Sequence, residues 1–474
     1  MLDLISANFS DFLKNIDAII FYSIGGDQSI PIIVLWLISG GLFFTIRMQF
    51  INLRAFKHAV DVILGKYDNP NEEGEVSHFE ALATALSGTV GLGNIAGVSI
   101  AISLGGPGAA FWMTIAGFLG MSTKFMECTL AQKYRIFNSN GTVVGGPMYY
   151  LSIGLADIGQ KKLGQTLAVM FASFNILATL GSSSIFQSNQ SQVVIANVLP
   201  FIAEKTWIYG LVLVLIVGLV IIGGIQRIAA VAATMVPTMC GIYFLAGLWV
   251  ILSNFTAIPS ALTSILHGAF VPQAMVGGFA GSLVQGFRRA AFSNEAGLGV
   301  AAIAHAAAKT NEPIREGIVA LLEPFIDTII ICNMTALVVI ITGAYNNPEF
   351  ANFGGSELTL AAFTSVIPWF PSILTLCIFL FALSTIISSS YYGQVCWQYL
   401  FGEGGVIIYK ILFLISVFFG TVAKPEAVIE FADAMKIALA FPSLLGAYFL
   451  CNKVATDLEN YMKRLQTGEI ISEN

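Results

Sequence analysis

The stretch that most constrains this chain runs from residue 80 to 103, Glu-Ala-Leu-Ala-Thr-Ala-Leu-Ser-Gly-Thr-Val-Gly-Leu-Gly-Asn-Ile-Ala-Gly-Val-Ser-Ile-Ala-Ile-Ser. It is long and apolar enough to cross a bilayer, which takes about 20 residues. Yet Gly88, Gly91, Gly93, Asn94 and Gly97 crowd its middle. Glycine costs roughly 1 kcal/mol per residue in a helix interior. Backbone groups freed inside a membrane survive only where protein or a polar cavity covers them. One reading is a glycine-lined packing seam between spans. The other is a broken helix whose first half ends near Gly91 and whose second begins near Gly93 and Asn94. Spare carbonyls at the first end suit a cation, and spare amides at the second suit a carboxylate. Together they can hold a zwitterion beside a metal ion.

The chain has 474 residues, 56% hydrophobic and 11% charged. Soluble domains carry about 25% charge, so the composition points to an all-α polytopic membrane protein. Residues 1–17 are polar and acidic, without the basic start and small-residue cleavage site of a secretory signal. Six cysteines and four histidines show neither metal-clip nor disulfide spacing. No zinc-protease His-Glu-x-x-His, phosphate-binding glycine loop or nucleophile elbow is present, so no enzyme is expected.

Apolar runs place spans at about 31–47, 80–103, 107–133, 165–198, 206–223, 228–253, 276–308, 316–343, 369–398, 405–420 and 426–450, eleven in all. The segments 134–163 and 254–275 read as loops, 344–368 as an external cap and 451–474 as a charged tail. With the N-terminus outside and the C-terminus cytoplasmic, fifteen of the 22 Lys and Arg fall on the cytoplasmic side. Only Lys14, Lys205 and Lys424 fall outside, which is the asymmetry the positive-inside rule requires. Without the first span, five spans occupy 80–253 and five occupy 276–450. Five is odd, so the halves run in opposite senses, as an inverted repeat. The domains are then 1–79, with an extra span, the repeats 80–253 and 276–450, and the tail. The span opening the second repeat should be broken too, and Ser293, Asn294, Glu295, Gly297 and Gly299 interrupt it.

Ser87-Gly-Thr-Val-Gly-Leu-Gly-Asn-Ile-Ala-Gly97 and Arg289-Ala-Ala-Phe-Ser-Asn-Glu-Ala-Gly-Leu-Gly299 resemble the alanine or glycine:cation symporter family. So do Gly145-Gly-Pro-Met-Tyr149, Phe186-Gln-Ser-Asn189, Phe325-Ile-Asp-Thr328 and Ser390-Tyr-Tyr-Gly393. The match covers nearly the whole chain. It implies sodium-coupled uptake of small neutral amino acids on two inverted five-helix repeats. The run Val90-Gly-Leu-Gly-Asn94 also resembles the first broken helix of the neurotransmitter:sodium symporters, which share that fold. Two positions depart from the family pattern. Ser388-Ser389 stands where the family usually has Gly-Trp, and Lys436 where it usually has Asn.

The expected ion is sodium, with a proton as the alternative, and no organic cofactor. Its expected ligands are the carbonyls of Ser87 and Val90. The resemblance to the shared fold adds the hydroxyls of Ser384 and Thr385. The substrate site is expected from Thr89, Gly91, Gly93, Asn94, Gln187, Phe292, Asn294 and Ser389. Amides after Gly93 would meet the substrate carboxylate, Asn294 its ammonium, and Phe292 would close over it. Gln187 reads equally as a ligand contact or a helix–helix bond. Arg288 or Arg289 with Asp433 could form an outer gate. Lys436, three residues after Asp433, could pair with it; Lys124 and Glu127 have the same spacing. Glu323 and Asp327 share a helix face without an evident role. The expected partners are an amino-acid substrate and the bilayer of the cell's plasma or inner membrane, not nucleic acid, with a monomer as the working unit. A channel or a solute sensor of the same fold are the rival functions.

Overall fold

The computed structural model describes residues 20–24, 30–69, 71–138, 142–270, 278–350, 353–423 and 432–470. It is almost entirely helical. Among the described residues, six helices are long and apolar enough to cross a membrane, or seven if one bent pair counts as a single span. The helices that position the site are α1 (Ile32–Arg47), α2 (His78–Thr89), α3 (Gly93–Gly105), α4 (Gly108–Lys133), α5 (Lys161–Val198), α6 (Thr206–Ile221) and α7 (Gly224–Ser253). They continue with α8 (Ile258–Phe270), α9 (Gly278–Asn294), α10 (Ala302–His305), α11 (Pro313–Ile341), α12 (Gly355–Thr364), α13 (Pro371–Phe401), α14 (Val406–Val422) and α15 (Ala432–Gln466).

The bent pair is α2 with α3, which meet at 52°. Helix α2 starts in a capping box: the Glu80 amide donates to Ser77 Oγ at 3.2 Å, and the Ser77 amide donates to Glu80 Oε2 at 2.8 Å. It ends at Thr89 because Val90 leaves the helical region, with ψ at +86°. The second break is less symmetrical than the sequence suggests. After α9 the chain passes through Glu295 (φ +57°), Gly297 (φ +89°) and Gly299 (φ +76°). Glu295 is a non-glycine residue in the left-handed region, a strain of about 1–2 kcal/mol. Helix resumes only as the single turn α10. Wide π turns run over Gly93–Gly97 at the start of α3, Thr179–Phe186 inside α5 and Phe325–Cys332 inside α11.

Two loop expectations are corrected. Segment 254–275 contains α8, whose early Pro259 fits a first helical turn and whose Ala261, Gly268 and Ala269 are buried. It is apolar but only 13 residues long, too short to register as a span, and its buried face packs on α4: Trp112 Nε1 donates to the Ala269 carbonyl at 3.2 Å. The charged tail is not separate from the last span, because α15 runs on to Gln466. Its charges are absorbed laterally. Arg464 grips Glu312 through two bonds of 2.8 and 2.7 Å, and Lys453 reaches Asp157 at 3.2 Å. Within 344–368 the cap carries α12, which lies over the first break: Thr359 Oγ1 donates to the Ile95 carbonyl at 3.0 Å.

Helix α4 is the central post, packed along α1, α9 and α11. At its start an added Cβ on Gly108 would lie 2.2 Å from the Gly268 carbonyl carbon, a backbone that cannot step aside. By contrast, a Cβ on Gly241 in α7 would meet nothing within 4 Å. Gly108→Ala is therefore expected to destabilise by about 1–3 kcal/mol through overpacking. Gly241→Ala should be neutral or slightly stabilising. Thermal unfolding of the two variants in detergent checks this; equal midpoints would contradict the close α4–α8 contact.

Candidate substrate and ion site

The two breaks meet. A Cβ added to Gly93 would lie 3.2 Å from Ser293 Cα and 3.5 Å from the Phe292 ring. Side chains take up the backbone groups that the first break frees. Asn94 Oδ1 accepts the Gly91 amide at 2.9 Å. Gln187 Oε1, reaching across from α5, accepts the Leu92 amide at 3.0 Å. Gln187 thus bonds to unwound backbone rather than to a neighbouring helix's side chains. Asn94 Nδ2 donates onward to Asp327 Oδ1 at 2.6 Å and to the Asp327 carbonyl at 3.0 Å.

The predicted ion residues gather beside the end of α2. Ser87 Oγ donates to the Ser384 carbonyl at 2.9 Å and receives Ser388 Oγ at 2.9 Å. Ser384 Oγ donates to its own helix, at the Phe381 carbonyl, at 3.0 Å. Its lone pairs stay available. Thr89 Oγ1 likewise turns back to the Ala85 carbonyl at 3.1 Å. Thr385 is different: among the described residues its buried hydroxyl has no hydrogen-bond partner, nor has that of Ser389 one turn along. A Cβ on Gly91 would sit 2.3 Å from Thr385 Oγ1, so only glycine lets the break approach α13 this closely. A buried hydroxyl without a partner costs about 1–3 kcal/mol.

In the second break Asn294 Nδ2 donates to Thr328 Oγ1 at 2.8 Å, and Asn294 Oδ1 accepts the Ala296 amide at 2.9 Å. Phe292 meets Phe186 edge-on, with ring centroids 5.2 Å apart. Lys436 does not pair with Asp433. Its Nζ lies 2.9 Å from Glu295 Oε1 and 4.5 Å from the Phe292 ring centroid. The left-handed turn at Glu295 accompanies this pairing, while Asp433 is already taken. Lys124 likewise reaches Glu323 at 2.9 Å instead of Glu127, whose carboxylate accepts Ser443 Oγ at 2.9 Å.

Both candidate gate arginines converge on one acid. Arg289 places Nη1 and Nη2 at 2.8 and 2.7 Å from the two oxygens of Asp433, and Arg288 Nη2 lies 2.9 Å from Oδ2. Arg288 also stacks over Phe21 at 3.9 Å. Glu430, a second acid in the last apolar run, lies outside the described residues. Ser87, Thr89, Asn94, Gln187, Phe292, Asn294, Thr385 and Ser389 are each at most 3% exposed, so the site is closed to both sides. The sequence did not single out Asp327, a fully buried acid, as a site residue; the only signal was a carboxylate in mid-span. It likewise missed the chain in which His78 and His305 share Glu316, with His305 Nε2 3.8 Å from Glu323.

The profile of the sodium:alanine symporter family matches residues 15–473. The chain belongs to that family. The sodium/alanine symporter AgcS of Methanococcus maripaludis is 39% identical over 432 residues, which covers 91% of this chain and 94% of that one. The probable sodium/glutamine symporter GlnT of Bacillus subtilis is 34% identical over 441 residues, covering 92% and 89%. Among solved structures, MhsT in complex with L-phenylalanine aligns with a TM-score of 0.55 at 14% identity, over 80% of this chain and 88% of that one. That likeness shows the fold. This sodium:alanine symporter family member is a multi-pass transporter of the amino-acid symporter class, not an enzyme.

Removing Asp433's charge from this family member leaves the buried Arg289 and the partly exposed Arg288 without their shared acid. Breaking a buried pair on one side costs about 3–5 kcal/mol. Asp433→Asn is expected to loosen α9 from α15 and to expose the outer face of the site. Thiol labelling of a cysteine placed at Phe292 should rise several-fold relative to the same cysteine in the parent background. Equal labelling would mark the cluster as static.

Proposed function

We propose that this protein carries small neutral amino acids inward with sodium by alternating access. The observation that carries this reading is the pair of unpartnered buried hydroxyls, Thr385 and Ser389, on the α13 wall beside Gly91. In a closed site such groups call for partners that the protein itself does not supply. Thr385, with the hydroxyl of Ser384 and the carbonyls of Ser87 and Val90, offers the oxygen-only ligand set a hard cation prefers. The substrate carboxylate is proposed to face the amides after Gly93, at the start of the second half-helix, while Asn94 and Gln187 occupy the Gly91 and Leu92 amides and hold that backbone open. Its ammonium is proposed to face Asn294, and the Phe186–Phe292 pair to cover it.

The fold-level proposals accompany this one. Eleven spans are arranged as one extra span and two inverted repeats, 80–253 and 276–450, with the N-terminus outside and the C-terminus cytoplasmic. Ion pairs that gather the inward-counted basic residues on one face, Arg464–Glu312 and Arg315–Glu72, support that orientation. The Arg288, Arg289 and Asp433 cluster is proposed as the outer gate.

The sodium arm of the reading is tested by sodium titrations of uptake into proteoliposomes. Thr385→Ala should raise the half-maximal sodium concentration by about tenfold or more, a loss of about 1.4 kcal/mol. Thr385→Ser should be mild. An unchanged sodium dependence in the alanine variant removes Thr385 from the site.

Substrate size rests on Ser389. Thr385 and Ser389 are one turn apart and share a helix face. A Trp there would fill the space that the serine hydroxyl leaves polar. AgcS carries alanine in its name and GlnT glutamine. We place this chain nearer the second, because an unpartnered hydroxyl can bond a side-chain amide and so discriminate against analogues lacking it. Glutamine, asparagine, alanine and glycine should be competed in the parent and in Ser389→Trp. Glutamine is expected to outcompete alanine in the parent and to lose that advantage in the variant. Alanine winning in the parent, or an unchanged order in the variant, overturns the glutamine assignment.

A further inference from the structure

Lys436 and Glu295 meet at the second break, Nζ 2.9 Å from Oε1, with both side chains almost wholly buried. A buried ion pair carries a large desolvation penalty, which is offset only when its remaining donors and acceptors are also met. Here they are not. Among the described residues the ammonium has Glu295 Oε1 and the face of the Phe292 ring, 4.5 Å to the centroid, and no second oxygen. Glu295 Oε2 is buried with no hydrogen-bond partner among the described residues. The neighbouring charges are committed elsewhere, Lys124 to Glu323 at 2.9 Å and Arg289 to Asp433 at 2.7 Å. Glu295 also stands in the left-handed region, φ +57°. Strain of that kind persists where the surroundings impose it, and it gathers at ligand sites. Phe292, which the ammonium overlies, packs on Gly93 of the first break and edge-on against Phe186. A strained, buried pair with spare valences thus stands against the ring proposed to cover the substrate.

We infer that Lys436 and Glu295 form the subsite for the substrate's side chain and select a carboxamide. The inference rests on the proposed symport reading, because it names the side chain of the amino acid carried there. The pair offers spare N–H groups and a spare carboxylate oxygen next to each other. A carboxamide carries the complement: its carbonyl accepts from Nζ and its NH2 donates to Oε2. Both protein groups keep their mutual contact, so no charge is left alone. Other side chains of the same length fit worse. A carboxylate faces Glu295, an ammonium faces Lys436, and an alkyl chain leaves both valences unmet. A site built to bond a polar group rejects analogues that lack it far more strongly than an apolar pocket rejects a change of size. With asparagine at 436, the residue the family usually has there, the ammonium is absent and this selection is lost.

Uptake of radioactive alanine into proteoliposomes is competed with unlabelled alanine, glutamine, glutamate and norleucine, the last three having side chains of similar length. Parent, Lys436→Asn and Glu295→Gln are compared. The shift in thermal unfolding that each amino acid gives the purified full-length protein is a second readout, free of transport. In the parent, glutamine should compete about tenfold or more better than glutamate and norleucine. Lys436→Asn should lose most of that lead while alanine still competes. Glu295→Gln leaves the ammonium without its acid, so glutamate should overtake glutamine. A merely structural pair would weaken all four competitors together and keep their order. If Glu295→Gln does not fold, Lys436→Asn alone decides. An unchanged order of competitors in Lys436→Asn overturns the subsite and leaves the carrier reading standing. A parent that neither takes up alanine nor is stabilised by any of the four overturns both.

Discussion

Asn94 Oδ1 holds the Gly91 amide at 2.9 Å and Gln187 Oε1 holds the Leu92 amide at 3.0 Å. The rest of the structure depends on these two bonds. In hydrocarbon an unpaired backbone group costs several kcal/mol, so a helix can open in mid-membrane only if side chains replace the lost turn. Asn94 does so from within the break and Gln187 from α5, across 95 positions of sequence. With the turn replaced, α2 and α3 can meet at 52° and leave their ends pointing into one small volume.

Much of this was legible in the chain. The first break was visible because glycines at Gly88, Gly91, Gly93 and Gly97 serve no purpose in a plain span. The second was visible because Ser293, Asn294 and Glu295 are polar where the membrane is not. Helix ends are local, and local chemistry reads well. The adjacent hydroxyls of Thr385 and Ser389 also followed from spacing on one helix.

Pairing across helices was not legible. Spacing placed Lys436 with Asp433 and Lys124 with Glu127, since three residues bring side chains to one face. The structure pairs Lys436 with Glu295 and Lys124 with Glu323. A buried charge goes to the partner that desolvates with it, and only the fold decides which that is. Length hid α8, whose 13 apolar residues are too few for a span, and only the fold shows the continuation of α15. A charged helix looks like a tail until Glu312 and Asp157 are found beside it.

The wide turns over Thr179–Phe186 in α5 and Phe325–Cys332 in α11 have a consequence of a different kind. Each is one residue too many for an α-helix of the same length. Such a surplus behaves like a dislocation in a crystal. It can be handed along the helix one peptide at a time, each amide exchanging a carbonyl five residues back for one four back. Residues it passes rotate by about 100° while the helix on either side stays intact. Gln187 lies just past one such turn and Asp327 within the other. The two side chains that tie the breaks to their surroundings are thus mounted where a helix can swivel without unwinding.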